Sequence, residues 1–138
     1  MTLKFNDLEV GSRIPDVVKG PLTRSQIALF AVPSGDHNPI HLDDEVARQG
    51  GLPGVIAHGM LNMAYLSQAL IGLAPQRNIR EFSARFQAMA FPGDVITCTG
   101  EVTAKKRVGE ENIVELTLAA LNQKGEKILD GSAQVALP

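Results

Sequence analysis

A chain of 138 residues, 44% hydrophobic and 20% charged, is sized and composed for one folded domain with its own core, which sets disorder aside. Its net charge of -2, with no basic run, speaks against nucleic acid or an acidic membrane surface as partner. Cys98 stands alone, so no intrachain disulfide can form and a reducing compartment is expected.

Met1 to Asp7 lacks the continuous apolar core of a signal peptide, and a soluble cytoplasmic protein is the expectation. Ile14 to Val18 reads as a short first strand after Gly11. Thr23-Arg-Ser-Gln26 has the form of a capping box and should start a helix that buries Ile27, Phe30 and Ala31. Pro33 is expected to end it, and Ser34-Gly35 to turn the chain. Asp43-Asp44-Glu45 puts acids in the first turn of a short helix that stops at Gly50-Gly51, where capping and a solvated face account for them.

The long helix follows, from about Ala57 or His58 to Leu73, with Met63, Leu66, Leu70 and Leu73 at three- and four-residue steps and Pro75 as its stop. No charge occurs from Val55 to Pro75, close to the roughly 20 residues that cross a bilayer. His58, Asn62, Ser67 and Gln68 interrupt that run and the flanks belong to one soluble domain, so a helix buried in a core is the reading, with no membrane partner.

From Ile79 the period changes to two. Phe82, Ala84, Phe86, Ala88 and Ala90 alternate with more polar positions, Pro92-Gly93-Asp94 turns, and Val95 to Thr103 is rich in β-branched residues. Val114, Leu116 and Leu118 share a face, Asn122 to Gly125 reads as a hairpin turn, and Ala133, Val135 and Leu137 alternate in a last strand. Residues 1–138 therefore read as a single α+β domain in which an antiparallel sheet curls around a long helix.

Asp36, Asn38 and His41 fall on a loop forced by Gly35 and Pro39. By spacing alone they are as readily turn-forming residues as a catalytic group, since Asp and Asn often bond nearby backbone. Two features favour chemistry. Nothing about folding demands a charge there, and a glycine-started helix follows, with free N–H groups and the positive end of a dipole. Asp and His can share a water and pass protons near neutral pH, while the Gly59 N–H is placed to meet an oxyanion on a thioester carbonyl. His58, at the helix start, reads as a packed structural residue. His37 points away from a partner shared by its neighbours. Asp36, His37, His41 and His58 imitate a metal site, but their spacing matches no zinc pattern and no metal is expected. Cys98 has no adjacent base and reads as a buried structural cysteine.

With Phe30, Ser34-Gly-Asp-His-Asn-Pro-Ile-His41 and Ala47 in register, the sequence resembles the MaoC-like dehydratases, which include (R)-specific enoyl-CoA hydratases of the hot-dog fold. Ile56-Ala-His-Gly-Met60 is similar to the start of that family's central helix. Arg85-Phe86 with Pro92-Gly93-Asp94 is similar to the strand and turn beyond it. The likeness spans nearly the whole chain. It implies a hot-dog fold, Asp36 and His41 as the catalytic pair, Gly59 N–H as the donor to the thioester oxygen, Asn38 as loop support and Ser67 as a substrate contact. It also implies no cofactor beyond coenzyme A or acyl carrier protein as part of the substrate, and assembly as a homodimer, a higher homo-oligomer or a heterodimer. Pro33 and Met89 depart from the family pattern without removing a chemical group.

The activity so implied is reversible hydration of a trans-2-enoyl thioester to the (R)-3-hydroxyacyl thioester. The alternative is a subunit of a heteromeric dehydratase or a non-catalytic acyl-thioester-binding protein, against which the intact Asp36/His41 pair speaks. A thioesterase of the same fold would release free thiol and typically lacks this loop.

Overall fold

The structure, a computed structural model, describes residues 3–138. Strand β1 (Arg13–Lys19) is followed by helices α1 (Arg24–Ser34), α2 (Asp44–Gln49) and α3 (Gly59–Leu73), then by strands β2 (Ile79–Phe86), β3 (Ile96–Val108), β4 (Glu111–Leu121) and β5 (Lys127–Leu137). The strands form one antiparallel sheet in the order β1-β3-β4-β5-β2. The strand after α3 thus lies at the edge opposite β1, and the helix crosses the concave face to reach it. Register shifts in β1, β2, β3 and β4 or their partners bend the strands around the helix. This is the hot-dog arrangement, and α3 touches all five strands.

The apolar stripe of α3 makes the core. Leu66 and Leu70 are fully buried and Leu73 nearly so, against Val114, Leu116 and Leu118 of β4 and Ala133 and Val135 of β5. Burying each such leucine contributes about 1.5–3 kcal/mol. The opposite side of the helix carries Met60 and Ile71, both about half exposed. At 15 residues α3 is about 22 Å long, and no helix among the described residues is long and apolar enough to cross a membrane.

The capping box forms as the sequence expects: the Gln26 N–H donates to Thr23 Oγ1 at 3.1 Å, and the Thr23 N–H to Gln26 Oε1 at 2.9 Å. Pro33 does not end α1. It sits inside the last turn, and the helix closes at Gly35, whose φ of 72° is left-handed. A proline so near the C-terminus removes only one backbone bond and has no following turn to disturb. The alternation from Phe82 to Ala90 also outruns its strand. β2 stops at Phe86, after which the Gln87 and Ala88 N–H groups both turn to the Ile128 carbonyl. Phe86 itself is 52% exposed and faces α3 rather than the core.

Candidate active site

The loop between α1 and α2 is held largely by its own short polar side chains. The Asp36 N–H donates to Ser34 Oγ and the Asn38 N–H to Asp36 Oδ1, each at 3.3 Å. Asn38 Oδ1 accepts from the Ile40 N–H at 3.2 Å and caps a single 3-10 turn, Pro39–His41. Asn38 is thus hydrogen-bonded within its own loop through both its N–H and its side-chain oxygen. That turn is also fastened to the segment before α3, because the Ile56 N–H donates to the Ile40 carbonyl at 3.2 Å.

These contacts deliver His41 in a defined state. Its Nδ1 lies 2.7 Å from the Ile56 carbonyl, an acceptor only, so Nδ1 carries the hydrogen. Nε2 is left to face Asp36 Oδ2 at 3.6 Å. That separation is too long for a direct hydrogen bond and short enough for one water oxygen to touch both. His41 is 8% exposed whereas the Asp36 side chain is 52% exposed, so the imidazole lies on the buried side of the pair and the carboxylate on the solvent side.

His58 completes the cluster. It is 1% exposed, its Nε2 donates to the Asp36 carbonyl at 3.1 Å, and its ring stacks on His41 with centroids 3.8 Å apart. Phe30 of α1 meets its other side edge-on at 5.0 Å. Asp36, His41 and His58 each bring one potential ligand atom within 4.8 Å of the others. Stacked imidazoles direct their in-plane lone pairs side by side, and His58 Nε2 already carries a hydrogen for a carbonyl. That nitrogen is therefore not a free ligand atom in this arrangement.

Gly59 opens α3 directly after His58, and its N–H has no acceptor among the described residues. A Cβ here would lie 2.9 Å from Cδ1 and Cε1 of Phe86, so glycine lets that ring cover the helix start. Ser67 is eight residues farther along α3, about 12 Å from Gly59, with its hydroxyl on the Ala64 carbonyl at 2.6 Å. His37 is exposed. Cys98 is buried in β3, and burial pushes its thiol up to about 11, away from nucleophile chemistry.

Asp44 does more than fill a helix turn. One carboxylate oxygen accepts from the Val55 N–H at 2.9 Å and the other from Arg24 at 2.5 Å, which anchors the approach to Ile56 and α3. The Val55 N–H, then Arg24, holds this carboxyl below its ordinary 3.8. A lowered carboxyl stabilises the fold above that value and loses its contribution as pH falls through the still lower folded value. The melting-temperature gap between wild type and Asp44→Ala is therefore expected to be full at neutral pH and to shrink below 3.8. A gap independent of pH in thermal melts would refute this anchoring.

Residues 8–124 match the family described as MaoC like domain. The (R)-specific enoyl-CoA hydratase of Aeromonas caviae is 34% identical over 116 residues, covering 83% of this chain and 85% of that protein. An unliganded R-hydratase structure from Pseudomonas aeruginosa superposes with a TM-score of 0.87 at 30% identity, over 99% of this chain and 86% of that one. The fatty acid synthase subunit beta of Aspergillus oryzae is 35% identical over 112 residues, 78% of this chain. The chain spans only 5% of that subunit's length.

Proposed function

The chain belongs to the MaoC-like domain family, and from that premise we propose that it catalyses reversible hydration of a trans-2-enoyl thioester to the (R)-3-hydroxyacyl thioester. The observation that carries the reading is the Asp36 Oδ2 to His41 Nε2 gap of 3.6 Å, with the His41 tautomer set by Ile56. A water held between the two loses a proton to the pair as its oxygen bonds to Cβ. The pair returns a proton to Cα, so it ends as it began. Between these events negative charge moves onto the thioester oxygen, where the Gly59 N–H at the positive end of α3 supplies a donor.

The substrate's own carbonyl activates the double bond, and the proposal includes no metal or redox group. Coenzyme A or acyl carrier protein enters as part of the substrate. Ser67, two helical turns from Gly59, is in this reading a contact for the acyl tail. Assembly as a homodimer in the cytoplasm belongs to the same reading. Leu29 and Val32 of α1, each 73% exposed, support a partnered surface near the site.

The test is direct. Purified protein mixed with short trans-2-enoyl thioesters on either carrier is expected to bleach the conjugated-thioester absorbance, and a dehydrogenase specific for the (R)-alcohol should consume the product. No bleaching with either carrier would sink the proposal.

A further inference from the structure

The stack beneath the catalytic pair contains a polar group that packing does not explain. His58 Nδ1 is buried without a hydrogen-bond partner, and so is Asn62 Oδ1 one turn along α3. A phenylalanine would fill the same slot between Phe30 and His41 and leave no orphaned nitrogen. What the imidazole adds is the Nε2–H donated to the Asp36 carbonyl at 3.1 Å. That bond matters because Asp36 follows a left-handed glycine on an exposed loop, and its N–H has only the 3.3 Å contact with Ser34.

We propose that His58 is a positioning residue for the hydration reaction, tying the backbone of Asp36 to the ring of His41. Its donor fixes the height of the carboxylate, and its face, backed by Phe30, fixes the plane of the His41 imidazole. One side chain thereby sets the gap in which the water is held. The inference rests on the hydratase reading for its kinetic consequence but not for its geometry.

Two substitutions separate the roles of the ring. His58→Phe retains the stack and removes the donor, whereas His58→Gln retains a donor and removes the stack. His58→Phe is expected to melt at or above the wild-type temperature, with KM little changed and kcat about 10- to 100-fold lower, the scale of a small misplacement of reacting groups. His58→Gln should recover part of that loss. Wild-type kcat in His58→Phe, or no recovery in His58→Gln, overturns the proposal. Should His58→Phe fail to fold, imidazole nitrogen NMR on the wild-type protein still decides. His58 must carry its hydrogen on Nε2 and His41 on Nδ1, and a Nδ1–H tautomer at His58 refutes the bond. A wild-type protein without hydratase activity would count against the function, while the tautomers would still test the brace.

Discussion

Asp36→Asn is expected to lower kcat for enoyl-thioester hydration about 10³-fold while leaving the protein folded and KM close to wild type. The substitution is nearly isosteric and retains the oxygen that accepts from the Asn38 N–H at 3.3 Å, so the loop keeps its support. What it removes is the ability to hold a proton opposite His41 Nε2. His41→Ala should be at least as damaging, but less cleanly so, because it also frees the Ile56 carbonyl that the ring's Nδ1–H now satisfies at 2.7 Å. Since the two groups grip one water, their losses should not add. The double variant is expected to turn over no more slowly than the worse single one. Stopped-flow loss of the conjugated absorbance measures all three, and Asp36→Asn at wild-type rate would eliminate the pair.

The parts of this site that could be read in advance share one property: their partners are close in sequence. Gly35 and Pro39 force a loop, Asn38 caps the very next turn, and Thr23 and Gln26 lie three apart in a capping box. The hydrophobic stripe of α3 was legible for the same reason, because Leu66, Leu70 and Leu73 announce their face by spacing alone. The strand order was not, since nothing local tells β3 to return beside β1 rather than beside β2.

His58 is the instructive residue. As a histidine at a helix start it reads as structural, and its side chain indeed caps nothing. Its meaning lies in contacts across 22 residues to the Asp36 carbonyl and to the face of His41, which only the folded loop creates. Phe86 departs from its alternation for a related reason. Period-two alternation assigns a side chain to a face, but the strand ends at that residue and the ring swings over Gly59 instead of into the core. Pro33 shows the limit of a residue-type rule, because a proline in a final turn costs a helix little and glycine is what closes it.

Gly59→Pro should separate the role of the helix start from that of its shape. Gly59 is the first residue of α3, a position where proline is favoured and where no intrahelical bond uses the N–H. His58 before it has φ -59° and ψ 136°, an extended conformation that tolerates a following proline. The helix should therefore survive while its leading donor is deleted. Both proline and alanine bring a Cβ against Phe86, 2.9 Å from the present ring atoms, and that half-exposed ring has room to turn aside. Gly59→Ala thus carries the steric change with the N–H intact and serves as the reference. Losing one donor aimed at a developing oxyanion costs about 3 kcal/mol, so Gly59→Pro is expected to turn over about 10²- to 10³-fold more slowly than Gly59→Ala at similar KM. Equal rates in the two variants would mean that the enolate oxygen is held elsewhere. The oxyanion role would then pass from Gly59 to another donor near the pair, with Asp36 and His41 still answerable to their own test.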